Sequence, residues 1–246
     1  ILATSLAIAA CVSDLGIQPD YVAGLSLGEY SALTYAGALS LDDSLTVVRQ
    51  RGLIMAEALK GKNSRMMAVL DKDIETIQAV CDSVSQGEDF CVIANYNSPN
   101  QVVLSATQPA LEKARELLKK HGIRRMIPLS VAGAFHSPLM IPASEKLADV
   151  LKDVPLQPCR IPVIFNVTGQ IETTEIKELL IRQIKSSVRF AQSIQTMLDK
   201  GVDTFIEIGP GHALSKFVKA TDKNVKIFSI NTFEDFLALK EEWKHE

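Results

Sequence analysis

The chain has 246 residues, 47% hydrophobic, 22% charged and 6% aromatic, enough for one large domain or two unequal ones whose core needs no disulfide or metal staple. Lys+Arg 26 against Asp+Glu 29 gives a net charge of −3 without any long run of one sign, so the basic footprint of a nucleic-acid or anionic-membrane binder is missing. Cys11, Cys81, Cys91 and Cys159 form no C-x-x-C and no Cys/His pair at metal spacing, which reads as reduced thiols in a cytoplasmic protein without a metal site, and no apolar run reaches the roughly 18 residues of a membrane span.

The sequence begins at Ile1, without a Met, inside what reads as an amphipathic helix to Leu15 closed by Gly16; it looks like a fragment lacking its N-terminal part. Tyr21-Val22-Ala23 is a short β-type run that enters Gly24-Leu25-Ser26-Leu27-Gly28, and Glu29 to Ala36 reads as a helix ending at Gly37. Ser40 and Asp43 are set to open a helix to about Leu59, with Leu41, Leu45, Val48, Met55 and Leu59 on one stripe. Strand Met66 to Leu70, helix Ile74 to Val84, strands Phe90 to Ala94 and Gln101 to Ser105, helix Pro109 to His121 and strand Arg124 to Leu129 follow. That βαββαβ order is a ferredoxin-like split βαβ unit over 63–130. Strand–helix alternation then resumes: strand Ile161 to Val167, helices Glu175 to Lys185 and Arg189 to Asp199, strand Thr204 to Ile208, helix His212 to Lys219 and strand Val225 to Ile230. The expectation is an α/β fold, a mostly parallel sheet flanked by helices, with the ferredoxin-like subdomain inserted into a core of 1–62 and 131–246.

The sharpest chemical signal is the G-x-S-x-G between a strand and a helix. Such a turn is tight, projects the Ser26 hydroxyl over a helix N-terminus, and points the Leu27 N–H at an oxyanion formed on a carbonyl attached to the serine. A serine needs a base. His121 ends a charged helix and His245 sits one residue from the end, so both read as solvated. His136, in a small-residue loop between a strand and a helix opened by Pro138, and His212, after Gly209-Pro210-Gly211, both remain open as the base. Arg51 lies against the apolar stripe of its helix: either a snorkelling stem covering the core, or a guanidinium held to grip a carboxylate with two bonds.

These residues carry a resemblance. Gly24-Leu25-Ser26-Leu27-Gly28-Glu29-Tyr30-Ser31-Ala32-Leu33, Ala36-Gly37-Ala38-Leu39 and Val48-Arg49-Gln50-Arg51-Gly52 are similar to the malonyl-CoA:acyl carrier protein transacylases. So are Asn97-Ser98-Pro99, Ala134-Phe135-His136-Ser137, Phe165-Asn166-Val167 and Ile206-Glu207-Ile208-Gly209-Pro210-Gly211, in family order along nearly the whole chain. The resemblance implies an α/β-hydrolase-like core, Ser26 as the acylated nucleophile, His136 as its base, and Arg51 as the partner of the substrate's carboxylate. It implies a Gln183 main-chain carbonyl orienting the histidine, and it demotes His212. Phe135 and Ser137 around the histidine resemble the form that goes with malonyl rather than methylmalonyl.

Two departures stand out: Leu25 occupies a place where many relatives have His, and the family's N-terminal strand and its Gly-Gln-Gly-Ser-Gln-like loop, the second oxyanion donor, have no counterpart here. The implied reaction is a two-step transfer from malonyl-CoA to the phosphopantetheine thiol of an acyl carrier protein, in fatty acid or polyketide synthesis, with no bound cofactor. The alternatives are a serine hydrolase such as a thioesterase, in which water replaces the second thiol, and a carrier-protein docking module without catalysis.

Overall fold

A computed structural model describes residues 1–243. The chain runs α1 (Leu2–Ser13), β1 (Val22–Ala23), α2 (Leu27–Tyr35) and α3 (Leu41–Leu59), then β2 (Ser64–Val69), α4 (Ile74–Val84), β3 (Cys91–Ser98), β4 (Gln101–Thr107), α5 (Gln108–Lys120) and β5 (Met126–Pro128). A 3-10 turn at Pro138–Met140 leads into α6 (Ile141–Lys152). The remainder is β6 (Val163–Ile164), α7 (Ile176–Gln183), β7 (Val188–Arg189), α8 (Phe190–Asp199), β8 (Thr204–Ile208), α9 (Ala213–Thr221), β9 (Lys226–Ile230) and α10 (Phe233–Trp243). The chain is α/β, and it divides into two compact units: residues 1–48, 155–174 and 191–246, and residues 49–154 and 175–190.

In the first unit β1 pairs with β6 and β8 with β9, both in parallel, as two separate two-stranded sheets. The sequence suggested one mostly parallel sheet with a strand across Ile161–Val167; the ladder there covers only Val163 and Ile164. The physical reason is that the polar groups which would continue it are used elsewhere. The Phe165 N–H donates to the Gln170 carbonyl, and the Asn166 N–H to the Glu29 carboxylate. Against β8 and β9, Val12, Ile17, Ile230 and Leu239 form a buried cluster with Ile206, Phe228 and Trp243 packed on it.

The second unit is built on a five-stranded sheet of order β5-β2-β4-β3-β7. Its first four strands are antiparallel, and α4 and α5 are the crossovers of the βαββαβ stretch. Asp73 caps α4 by accepting the Thr76 N–H at 3.0 Å, and α5 opens with Pro109 in its first turn, where no amide partner is lost. Ile77, Val80, Cys81 and Val84 of α4 and Ala110, Leu111, Ala114 and Leu118 of α5 recur at helical spacing. They bury against the strand residues of one face, Met67, Val69, Val102, Leu104 and Ala106. The alternate residues Met66, Ala68 and Val103 face the other way, under Leu129 and Phe135.

This unit extends beyond 63–130, because β7 adds to the sheet edge parallel to β3, Asn95 opposite Val188 and Tyr96 opposite Arg189. Arg189, expected to begin a helix, is a strand residue whose guanidinium lies 5.8 Å from the Tyr96 ring centre. Helix α3 also corrects the expected stripe. Ser40 and Asp43 cap it reciprocally, but Leu41 and Leu45 are exposed, and the buried line is Ser44, Val47, Arg51, Met55 and Leu59. Apolar residues occur on several sides of this helix, so periodicity alone left two faces to choose from.

Candidate active site

Ser26 lies in the first unit, between β1 and α2, at φ 52° and ψ −100°. A positive φ at a non-glycine residue is rare and strained. The neighbouring groups account for its persistence. The Ser26 N–H donates to Asn166 Oδ1 at 2.6 Å, and Asn166 Nδ2 donates to the Gly24 carbonyl at 2.7 Å. The Asn166 N–H in turn donates to Glu29 Oε2 at 2.6 Å, and Glu29 is fully buried in the first turn of α2.

The two glycines of the motif differ. A Cβ on Gly24 would overlap the Gly28 carbonyl group and come within 2.6 Å of the Glu29 nitrogen, so the turn requires glycine there. At Gly28 a Cβ would meet open space among the described residues, so the packing seen there does not explain that glycine. Leu27 is the first residue of α2, where amide N–H groups have no acceptor within the helix.

His136, Arg51 and Gln183 come together in the second unit. His136 is reached from the sheet face under Phe135: the Ser105 hydroxyl donates to the Phe135 carbonyl, the Ala134 N–H to the Ser64 hydroxyl at 3.1 Å, and the Ser137 hydroxyl to the Ala134 carbonyl at 2.6 Å. These bonds hold the loop while His136 takes φ 54°. Gln183 ends α7, and the Ser187 hydroxyl ties the following turn to β3 through the Ile93 carbonyl at 2.6 Å.

From that position the Gln183 main-chain oxygen lies 2.9 Å from His136 Nδ1. A carbonyl only accepts, so Nδ1 carries the proton and Nε2 holds the ring's lone pair. The Gln183 side chain acts separately: its Oε1 accepts from Arg51 Nη2 at 3.1 Å, with Arg51 buried. Burial and then the Arg51 charge push the His136 pKa down from 6.5 to about 4, against the carbonyls of Gln183 and Ser186, which raise it. A cavity of about 390 Å³ opens beside this histidine, lined also by Val92, Ser137, Ile141, Lys185 and Ser186.

The other histidines are elsewhere. His212 is exposed at the N-terminus of α9 in the first unit, with Nδ1 2.7 Å from the Ser229 hydroxyl. That hydroxyl donates to Glu207, whose carboxylate caps α9 through the N–H groups of Leu214 and Ser215. A helix-cap network thus occupies its ring nitrogen. His121 is the exposed C-cap of α5, and His245 lies outside the described residues. Among the described residues no cluster of His, Cys, Asp and Glu could hold a metal ion, and no helix is long and apolar enough to cross a membrane.

Sequence reasoning gave no role to Asn166 or Glu29. The available signals were an asparagine inside the apolar run Ile161–Val167 and a carboxylate in the first turn of an otherwise apolar helix.

The His136 environment has a consequence for stability. The folded chain keeps this ring neutral down to about pH 4, whereas the unfolded chain takes up a proton below about 6.5, so the fold loses stability as pH falls through that window. His136→Asn removes the titration and suits the positive φ. Urea unfolding of both proteins should show the variant gaining on the parent by up to about 3 kcal/mol between pH 7 and pH 4; a pH-independent difference would mean that the histidine is not held neutral.

The acyl transferase domain model matches residues 1–232. A malonyl CoA-acyl carrier protein transacylase of Bacillus subtilis (strain 168) is 45% identical over 233 residues, 94% of this chain and 74% of the relative. Among solved structures, the MCAT of Streptococcus pneumoniae superposes with a TM-score of 0.95 at 42% identity, over 98% of this chain and 79% of that one. A type II PKS acyl-carrier protein in complex with its malonyl-transacylase matches with a TM-score of 0.94 at 34% identity, again over 98% and 79%. The chain belongs to the acyl transferase family, among the malonyl-CoA:acyl carrier protein transacylases.

Proposed function

We propose that this chain moves a malonyl group from malonyl-CoA to the phosphopantetheine thiol of an acyl carrier protein through an ester on Ser26. The observation that carries the reading is the strained strand–serine–helix turn, with φ 52° at the one residue whose hydroxyl the reaction needs. His136 accepts the Ser26 proton at Nε2 as the oxygen attacks the thioester carbonyl, and the Leu27 N–H bonds the oxyanion. The tetrahedral adduct collapses to malonyl-serine as the proton passes to the departing coenzyme A sulfur. In the second half the same nitrogen takes the proton of the carrier's thiol, and Ser26 leaves as the hydroxyl. The Gln183 carbonyl keeps the ring in the tautomer both halves require, and no bound cofactor enters either step.

Arg51 selects the substrate: its planar fork pairs with the free malonyl carboxylate, while Gln183 Oε1 fixes one edge of the guanidinium. Buried, and with Arg51 charged beside it, His136 stays neutral at physiological pH, so its Nε2 lone pair can accept a proton. The setting is cytoplasmic fatty acid or polyketide synthesis. We further read the split βαβ stretch 63–130 as a ferredoxin-like insertion, widened at its sheet edge by β7, within a hydrolase-like core drawn from 1–62 and 131–246. The strand order of the former and the parallel pairs and serine turn of the latter support this.

Intact mass after mixing with malonyl-CoA tests the reading. The parent should gain a malonyl group that carrier protein discharges; Ser26→Ala should gain none. His136→Ala should slow both halves by about 10²–10⁴-fold, and His212→Ala should change little. Release of free malonate without transfer would point to a hydrolase, and absence of any adduct to a docking module.

Arg51→Ala separates substrate choice from folding. A charge-assisted pair is worth roughly 1.5–3 kcal/mol, so malonyl transfer should fall about 10–100-fold while acetyl-CoA is handled no worse than by the parent. The acid limb of kcat/KM, near pH 4 in the parent, should move upward once the neighbouring charge is gone. Equal losses for both acyl groups would make Arg51 a structural residue.

A further inference from the structure

We propose that Asn166 is a positioning residue for acyl transfer: its side-chain amide clamps both ends of the strained segment that presents Ser26. The inference rests on the reading of Ser26 as the acylated residue. Asn166 uses its acceptor on the Ser26 N–H at 2.6 Å and its donor on the Gly24 carbonyl at 2.7 Å, so one planar amide bridges the chain just before and at the turn. It is buried, 1% exposed, and its own N–H is fixed on the buried Glu29 carboxylate at 2.6 Å. Glu29 lies in the first turn of the helix that the serine turn feeds, so the strap and the helix are set by one network.

The arrangement is specific to an amide. A strained residue keeps its φ only where the surroundings over-determine it, and here both contacts fall on main-chain groups of the strained turn. The ladder of β6 stops at Ile164, two residues earlier, which leaves Asn166 to make these bonds. Losing them lets Ser26 relax toward an ordinary φ and carries its hydroxyl away from the attacking position, whereas the groups that bind malonyl-CoA elsewhere are untouched. The expected signature is therefore a fall in kcat with little change in KM.

The test compares malonyl loading of the whole chain, followed by quenched-flow intact mass, in Asn166→Ala, Asn166→Asp and Ser26→Ala. Asn166→Ala should load about 10–100-fold more slowly at saturating malonyl-CoA, with KM within about threefold of the parent. Asn166→Asp keeps the acceptor for the Ser26 N–H but sets a second acceptor against the Gly24 carbonyl. Its rate relative to the parent should rise as pH falls from about 8 to about 6, where protonation of a raised-pKa carboxyl restores the donor.

An unchanged kcat in Asn166→Ala, a KM change as large as the kcat loss, or a parental pH profile in Asn166→Asp overturns the proposal. If Asn166→Ala does not fold, as judged by its thermal melt, Asn166→Asp has the same shape and its pH profile decides. Normal loading by Ser26→Ala instead removes the nucleophile assignment, an outcome distinct from failure of the strap.

Discussion

A residue held at φ 52° and ψ −100° stores on the order of 1–3 kcal/mol, and only fixed neighbours keep it there. The first unit is arranged around that constraint. Gly24 must lack a side chain because the Gly28 carbonyl occupies the space a Cβ would take. The β1–β6 ladder is two residues long because the groups beyond it serve the turn: the Gly24 carbonyl takes the Asn166 amide, and the Asn166 N–H goes to Glu29. Sheet hydrogen bonds have been exchanged for side-chain bonds where the chain turns through the strained Ser26. The strain remains, and the number of groups holding it is what makes it stable.

In the second unit one residue orders two polar side chains. Gln183 presents its carbonyl to His136 and its side-chain oxygen to Arg51, so the imidazole and the guanidinium are ordered by the same residue at the end of one helix. A buried arginine near a histidine would be unwelcome in a protein that needed the ring charged; here it helps keep the ring neutral. The main-chain carbonyls around the ring favour the charged form, but burial and the guanidinium outweigh them. The cost appears at low pH, as a proton that the folded chain resists and the unfolded chain accepts.

The other polar clusters have structural work. Glu207 caps α9 with both carboxylate oxygens and draws Ser229 and His212 into the cap. A histidine after a glycine-rich turn thus looks like a candidate base in the sequence and acts as part of a helix terminus in the fold. Cys81 and Cys91, with sulfurs 3.5 Å apart in the helix–sheet core, are buried thiols, and their mutual contact, then burial, push the Cys81 pKa up, away from the thiolate that reacts.

What the sequence determined by itself is local or periodic. The βαββαβ order follows from apolar spacing, the cap of α3 from Ser40 and Asp43, and the serine turn from a glycine motif between a strand and a helix. Such signals lie within a few residues of the groups they govern, so a single stretch of chain contains them. The tertiary structure decided what depends on distant partners. Asn166 meets Ser26 across 140 positions, Arg51 meets Gln183 across 132, and β7 joins β3 some ninety residues away in sequence. It also chose which face of α3 is buried, since several faces are apolar and only packing distinguishes them. The resemblance to the transacylases named the side chains; the strain at Ser26 and the neutral state of His136 come from groups that only folding brings near.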